Sequence, residues 1–269
     1  MTVEPLTGGQ ANTVFSVTFP SGERVILRLH SRTDGFAGTV RTIETLKVLG
    51  LPVPEVIAHG HRPDIDASWL VLGWTPGREL RWVVAEMTPD QQTRVAEQIV
   101  GFQRQVSALP QGDGFGYVPP GTPGTHATWL ELLATHPRLT EASRDIADYL
   151  ATVEPTCFLD DITGKNVLIE NGKLTGLIDL DYVCYGDPLY WLALTHVGLV
   201  CDTQTEFYAT ELIRLWNPTP LEKRVLAFYS ALMADDFLAW FSADESLEWQ
   251  RRMSAARAHW LSVTQFAIS

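Results

Sequence analysis

Acidic side chains crowd into one short segment, CFLDDITGKNVLIENGKLTGLIDLDYVCYGDP, which covers residues 157–188. The segment contains Asn166 among apolar strand-forming residues and the aspartates Asp160, Asp161, Asp179, Asp181 and Asp187. Carboxylate and amide oxygens are the ligands that hard divalent cations prefer. A carboxylate can also accept a proton from a reacting hydroxyl group. These residue types therefore indicate metal-assisted chemistry with a general base.

The spacing within this segment predicts a hairpin that aims two oxygen ligands at one point. Asn171 and Gly172 lie between two β-rich runs and predict a two-residue turn. Counting outward from that turn places Asn166 opposite Leu177. Asn166 and Asp179 would then share one face as diagonal neighbours, roughly 7–8 Å apart between backbones. An amide oxygen and a carboxylate placed in this way can meet on one Mg²⁺ ion.

Asp161 precedes Asn166 by five positions, at the end of a strand-like stretch. We expect it at the open end of the hairpin, where its carboxylate could accept the proton of a hydroxyl group undergoing phosphorylation. Any one of these acids, taken alone, is more easily interpreted as a turn or cap residue. The ordered combination of Asp161, Asn166, a hairpin and Asp179 favours a functional site.

The elements around this segment predict an α+β fold with two lobes. Residues 1–75 contain a hairpin over Val14–Phe19 and Arg24–His30, a helix near Gly38–Leu49 and two further strands. The Thr88–Pro89 pair begins a helix that continues to Leu109, and most of the remaining chain has helical periodicity. We predict a small antiparallel-sheet lobe at 1–75, a crossing segment near 72–77 and a larger, mainly helical lobe at 76–269.

Composition and charge restrict the class of partner. The formal net charge of −12 argues against a general nucleic-acid binder, which needs clustered Lys and Arg, and favours cationic or uncharged small molecules. Three cysteines without paired spacing suggest a reducing cytoplasm. We find no signal peptide and no apolar run of about eighteen residues. The expected protein is cytoplasmic, a monomer or homodimer, with a small-molecule substrate and no membrane partner.

Several motifs in order resemble one known family. DITGKNVLI followed by GLIDLD and GDP resembles the catalytic segment of the aminoglycoside phosphotransferase family, which is related to choline kinases. The likeness continues through LTGGQANTVFSV, VILRL, RTIETLKVLGLPVPEV and WLVLGWTPG, and covers most of the first two hundred residues. It implies a bilobal protein-kinase-like fold, with ATP (or GTP) and Mg²⁺ as cofactors bound between the lobes.

The resemblance also implies a role for individual residues. Asp161 would be the catalytic aspartate, and Asn166 and Asp179 would be the metal ligands. The nucleotide-binding residues would be Gly8, Gly9, Asn12, Arg28 with its expected partner Glu44, and the hinge residues Leu72 and Trp74. The acids Asp160, Asp181 and Asp235 would bind the substrate. This pattern predicts a small-molecule kinase that transfers the γ-phosphate to a hydroxyl of an aminoglycoside-like or other metabolite.

Three positions depart from the family pattern. Leu159 stands where the family loop usually begins with His, Arg28 replaces the third-strand Lys, and Trp191 replaces a frequent Asp. Arginine keeps a permanent charge and a fork that suits phosphates, so nucleotide binding remains compatible with the change. The departures leave open a non-catalytic nucleotide-binding module. The acidic cluster by itself would also fit a metal-dependent hydrolase.

Overall fold

The N-terminal lobe is a five-stranded antiparallel sheet. Its strands are β1 (Thr2–Leu6), β2 (Thr13–Thr18), β3 (Arg24–His30), β4 (Val56–Arg62) and β5 (Ala67–Gly73), in the order β1-β2-β3-β5-β4. The computed structural model describes residues 1–6, 12–31, 35–202, 207–241, 243 and 245–264. The predicted hairpin of β2 and β3 is confirmed, and β1 is an additional strand that pairs with β2.

One helix, α1 (Ala37–Val48), belongs to this lobe. Val40, Ile43 and Leu46 recur every three residues and form its buried face. Two threonines, Thr39 and Thr42, share that buried face. The helix therefore turns hydroxyl groups as well as apolar side chains toward the protein interior.

The remaining chain is mainly helical. Its helices are α2 (Leu80–Val83), α3 (Pro89–Ser107), α4 (Trp129–Leu133), α5 (Arg144–Ala151), α6 (Leu189–Asp202), α7 (Phe207–Trp216), α8 (Pro220–Phe241) and α9 (Leu247–Thr264), with 3-10 turns at Val84–Glu86 and Pro137–Glu141. The predicted start of α3 is confirmed. Thr88 and Gln91 form a reciprocal capping box there, so two otherwise unpaired N–H groups are satisfied.

Within the described residues, six short strands of this helical part form the sheets around the acidic segment. They are β6 (Arg78–Glu79), β7 (Gly116–Val118), β8 (Thr156–Phe158), β9 (Val167–Glu170), β10 (Lys173–Leu177) and β11 (Val183–Gly186). They form two three-stranded sheets, β10-β9-β6 and β7-β11-β8. The loop between β8 and β9 joins the two sheets and contains Asp161.

Asp187 caps helix α6 inside the core. Its carboxylate accepts hydrogen bonds from the Leu189 N–H at 3.0 Å and from the Tyr229 hydroxyl at 2.8 Å. The indole N–H of Trp129 in turn donates to the Tyr229 oxygen at 2.7 Å. Burial raises the pKa of Asp187 to about 6, although these hydrogen bonds oppose the increase. This fifth acid of the segment is a structural cap.

The fold class agrees with the prediction: an antiparallel N-terminal sheet is followed by a mainly helical region. The chain leaves the sheet after Gly73, within the predicted crossing segment at 72–77, and enters β6 at Arg78, directly after it. The lobe boundaries at 75 and 76 remain a prediction. Within the described residues, no helix has both the length and the apolar character needed to cross a bilayer.

Candidate active site

The loop at 159–166 fixes Asp161 through its backbone and its side chain. The Asn166 side-chain amide donates to the Asp161 main-chain oxygen at 2.8 Å. The Thr163 hydroxyl donates to Oδ1 of Asp161 at 2.8 Å, and the Lys165 ammonium lies 3.3 Å from Oδ2. Asp161 and Asn166 are therefore physically joined, as their spacing suggested.

The hairpin that follows has the predicted turn. Asn171 and Gly172 both have left-handed backbone angles, with φ of +53° and +72°. This is the requirement of the type I′ turn that Asn-Gly favours. Lys173 pairs with Glu170 across it, as predicted.

The predicted register farther along the hairpin was wrong by one residue. Leu177 pairs with Val167, and the Asn166 main-chain oxygen accepts a hydrogen bond from the Ile178 N–H at 2.9 Å. The cause is a β-bulge at Thr175, which adds one residue to β10. The Thr175 hydroxyl oxygen lies at this distortion, 3.1 Å from the Leu168 main-chain oxygen.

Asp179 leaves the hairpin in a left-handed conformation with φ of +60°, which Asp tolerates better than most residues. The Asp179 side chain is half exposed, and partial loss of hydration is the main reason that the pKa of its carboxyl is raised. Arg28 and Lys165 lower this pKa, whereas the carboxylates of Asp181 and Asp161 raise it. Arg28, Lys165, Asp181 and Asp161 therefore all lie close enough to Asp179 to influence its ionisation.

Arg28 of β3 joins the sheet lobe to this acidic segment. Its side chain is buried, with 7% exposed, and its guanidinium lies 2.8 Å from Asp181 and 3.4 Å from Asp179. The Thr39 hydroxyl of α1 donates to the other Asp181 oxygen at 3.0 Å. A basic group from β3 is thus held between two acids beyond the hairpin.

The prediction that Arg28 pairs with Glu44 was wrong. Glu44 is exposed, and the ion pairs of Arg28 in the described part of the chain involve Asp179 and Asp181. An α-helix turns about 100° per residue, so Glu44 lies about 140° around α1 from the inward-facing Thr39. The polar contact from α1 is therefore made by Thr39, and it reaches Asp181, the partner of Arg28, and not Arg28 itself.

Two of the acids predicted to bind substrate have internal partners. Asp181 has one oxygen bound to Arg28 and the other to Thr39. Asp235 on α8 forms ion pairs with the guanidinium groups of Arg138 and Arg257. These contacts do not support substrate binding by either acid, and that role stays a prediction.

Asp160 has a different environment from those two acids. Its Oδ1 atom is buried and has no hydrogen-bond partner among the residues that the structure describes. Burial, together with the neighbouring Asp161 carboxylate, raises the pKa of Asp160 to about 7. Its charge in turn contributes to raising the pKa values of Tyr117 and Tyr190, so both phenols lie near it. Substrate binding by Asp160 stays a prediction.

The predicted nucleotide-binding residues are only partly described. Gly8 and Gly9 lie outside the described residues, whereas Asn12 has a buried Oδ1 atom without a hydrogen-bond partner there. Leu72 lies inside β5 and pairs with strands on both sides. Trp74 follows that strand, and the Arg24 guanidinium stacks 3.6 Å from its ring centroid. Contact of these residues with a nucleotide remains a prediction.

Sequence reasoning missed two side chains that hold the site. Thr39 contacts Asp181, and Gln103 on α3 hydrogen-bonds the backbone of Leu159. Each is a polar residue on the buried face of a helix. A polar residue within the apolar face of a helix could have indicated these contacts from the sequence, because buried polar groups require hydrogen-bond partners.

The family model described as "Phosphotransferase enzyme family" matches residues 2–229 of the chain. The chain belongs to this family. The predicted enzyme class is therefore confirmed at the level of a phosphotransferase, and the match covers both β3 and the whole acidic segment. Among functionally curated proteins, no sequence matches the chain.

Solved structures of aminoglycoside phosphotransferases have the same fold as this phosphotransferase. APH(4)-Ia has a TM-score of 0.70 at 18% identity, over 98% of this chain and 94% of that one. A thermostable mutant of APH(4)-Ia in ternary complex with AMP-PNP and hygromycin B has a TM-score of 0.68 at 20% identity, over 99% and 95%. The GDP and kanamycin complex of APH(2")-IIIa has a TM-score of 0.63 at 18% identity, over 98% and 94%. These similarities confirm the predicted kinase-like fold.

Proposed function

We propose that this phosphotransferase is a small-molecule kinase. It transfers the γ-phosphate of ATP or GTP to a hydroxyl group of an acceptor that also carries a basic amine. The observation that carries this proposal is the grouping of Arg28, Asp161 and Asp179: the Arg28 guanidinium lies 3.4 Å from Asp179, and the Asp161 carboxylate is near enough to raise the Asp179 pKa. Phosphoryl transfer requires mainly positioning and charge stabilisation, and this grouping supplies both.

Asp161 would accept the proton of the acceptor hydroxyl. The Thr163 hydroxyl orients its carboxylate, and the Asn166 amide fixes its backbone. A general base must be held within hydrogen-bonding distance of the proton that it removes, and these two contacts restrict where the carboxylate can point. The Lys165 ammonium beside Oδ2 places a positive charge next to the reacting groups.

Asn166 and Asp179 would hold Mg²⁺. Both offer hard oxygen donors, and a divalent cation would offset the negative charge that Asp161 and Asp181 place around Asp179. In the described ranges, no group of three or more His, Cys, Asp or Glu side chains could hold a metal ion by itself. Mg²⁺ is commonly bound by one or two protein ligands together with substrate phosphates. When bound, the ion neutralises charge on the phosphoryl oxygens.

Arg28 would bind the nucleotide phosphates from the opposite side. Its guanidinium stays charged and presents several N–H donors in a planar fork. The guanidinium donates to both Asp179 and Asp181, and the Thr39 hydroxyl holds Asp181 in place for this contact. Arginine can therefore perform the electrostatic role that a lysine would perform from the same strand.

Asp160 supports an acceptor that carries an amine. This acid has a buried oxygen without a described partner and directly precedes Asp161 in sequence. An acceptor amine bound there would bring its hydroxyl groups close to Asp161. The net charge of −12 also favours a cationic acceptor. The similar structures with hygromycin B and kanamycin support an aminoglycoside-like molecule as the first choice.

The test is to incubate the protein with Mg²⁺, ATP or GTP and a panel of hydroxylated amines, and to measure acceptor mass for one added phosphoryl group. Asp161→Asn should lower kcat by about 100- to 10,000-fold, the range for loss of a general base. The matched control is Asp148→Asn. The Asp148 carboxylate is 75% exposed on α5, so this substitution should leave kcat unchanged.

The outcomes separate the three functions considered. If nucleotide and Mg²⁺ raise the Tm but no acceptor gains a phosphoryl group, the non-catalytic nucleotide-binding module is favoured. If neither nucleotide raises the Tm, the kinase proposal is wrong and the hydrolase alternative is favoured. Equal activity of Asp161→Asn and the wild type would reject Asp161 as the base.

A further inference from the structure

Gln103 makes an unusual pair of contacts with the start of the loop that contains Asp161. It lies on α3 and is completely buried. Its Nε2 donates to the Leu159 main-chain oxygen at 2.6 Å, and its Oε1 accepts from the Leu159 N–H at 3.0 Å. One side-chain amide therefore satisfies both backbone groups of one residue. Two bonds restrict rotation of that residue more than one bond would.

Leu159 is the last residue before the two aspartates and follows β8 directly. Its side chain is buried and has no polar atom, so it can form no hydrogen bond. Hydrogen bonds can therefore hold this residue only through its main chain, and Gln103 forms two of them.

The rest of the loop is attached by other elements. The Thr195 hydroxyl of α6 donates to the Ile162 main-chain oxygen at 3.3 Å. The Arg81 N–H donates to the Gly164 main-chain oxygen at 2.9 Å, and the Asn166 amide donates to that of Asp161. These three contacts lie at or after Asp161. The contact with Gln103 lies before it, so the carboxylate is held between attachments on both sides.

We propose that Gln103 is a positioning residue for phosphoryl transfer: its side-chain amide fixes the backbone before Asp161 and thereby sets the direction of the Asp161 carboxylate. The proposal rests on the function proposed above. Loss of the amide would leave Leu159 with two unpaired buried backbone groups, and the loop would shift to satisfy them. A displacement of about 1 Å at a reacting group can lower the rate about 100-fold.

The same helix offers a matched control. Gln92 is also buried on α3, and its Nε2 donates to the main-chain oxygens of Val84 at 2.8 Å and Met87 at 3.2 Å. Val84 lies in the 3-10 turn before α3 and Met87 directly follows that turn, so neither partner belongs to the loop at 159–166. Gln92 and Gln103 therefore perform comparable structural tasks at different places.

The experiment compares Gln103→Met and Gln92→Met, which keep the length of the side chain and remove the amide. Both should lower Tm by several degrees, because each leaves buried backbone groups unpaired. Only Gln103→Met should lower kcat, by about 10- to 100-fold, with the nucleotide KM within about twofold of wild type. Wild-type kcat in Gln103→Met, or an equal loss in both variants, would overturn the proposal.

A conservative variant adds a pH profile. Gln103→Glu has nearly the same shape, and its protonated form can donate to the Leu159 oxygen and accept from the Leu159 N–H. Ionisation removes that donor and places a charge near the Leu159 oxygen. Its kcat relative to wild type should therefore approach one at low pH and fall as pH rises. A ratio that does not change with pH would count against the proposed hydrogen-bonding role.

Hydrogen exchange keeps this inference separate from the proposed function. Amide exchange in the peptide that covers 159–166 should be at least about tenfold faster in Gln103→Met than in wild type, and unchanged in Gln92→Met. This measurement needs no substrate. If the wild type transfers no phosphoryl group but the difference is found, the kinase proposal fails while the loop attachment stands. Equal exchange in both variants would reject the attachment itself.

Discussion

Replacing Asp160 with asparagine should stabilise the folded chain, and the gain should increase with pH. Burial and the Asp161 carboxylate raise the Asp160 pKa from 3.8 to about 7, so the folded chain retains a proton that the unfolded chain releases. Because the folded pKa is raised, the contribution of Asp160 to stability is greatest below pH 3.8. It decreases as pH rises to about 7 and is constant above that value.

The size of the effect follows from the two pKa values. The difference between the two pKa values corresponds to a loss of folding stability of at most about 4 kcal/mol at pH 8.5 and about 2 kcal/mol at pH 5.5. Asparagine resembles the protonated acid in shape and carries no charge, so it should recover much of this energy. For a chain of this size, about 4 kcal/mol corresponds to an increase in Tm of roughly 10 °C.

Thermal unfolding of both proteins at pH 5.5 and 8.5 measures the effect. Asp148→Asn is the control, because its exposed carboxylate should make no pH-dependent difference. A Tm of Asp160→Asn at pH 8.5 that does not exceed the wild-type value would refute the reasoning. An equal gain at both pH values would attribute the effect to packing. The same variant should raise the KM for an amine-bearing acceptor, if Asp160 binds that amine.

Two further substitutions test the contacts around the site. Thr39→Val removes the hydroxyl that donates to Asp181, and steady-state kinetics should show a nucleotide KM about 3- to 10-fold higher, because a typical hydrogen bond contributes about 0.5–1.5 kcal/mol net. An unchanged KM would show that Asp181 needs no second partner to hold Arg28. Gly172→Ala should lower the free energy of unfolding by more than about 1 kcal/mol in urea denaturation, since φ is +72°. The new Cβ would also lie 2.0 Å from Nε2 of Gln91 and would displace a side chain that accepts the capping hydrogen bond from the Thr88 N–H. Gly121 has φ of +73° and open space around it, so Gly121→Ala should lose only the stability that a left-handed backbone angle costs a non-glycine residue. Equal losses in the two variants would contradict the predicted clash.

Short-range rules account for the parts of this protein that could be predicted from sequence. The Asn171–Gly172 turn depends on two adjacent residues that tolerate left-handed angles. The start of α3 depends on Thr88 and its capping partner three residues later. The loop from Asp161 to Asn166 is likewise local, because a hydrogen bond spans only five positions. Turn angles, caps and periodicity are all determined within a few residues.

The register of the hairpin could not be derived in this way. Counting from the turn predicts Asn166 opposite Leu177, but the bulge at Thr175 shifts the pairing. The Thr175 hydroxyl donates to the Pro76 main-chain oxygen at 2.5 Å, 99 positions away in the chain. This bulge is therefore stabilised by the segment between the N-terminal sheet and the helical part. Its position depends on how those two parts of the molecule pack together.

The sequence by itself determined the family, the kinase-like fold and the acids and amide that belong to the candidate site, because ordered motifs and local geometry specify them. Only the tertiary structure decided which side chains hold those residues in place. Arg28 pairs with Asp181 across 153 positions, and Gln103 binds the Leu159 backbone across 56. The physical reason is that a side chain chooses its partner by the face on which its helix or strand presents it, and that face is set only when the elements pack together.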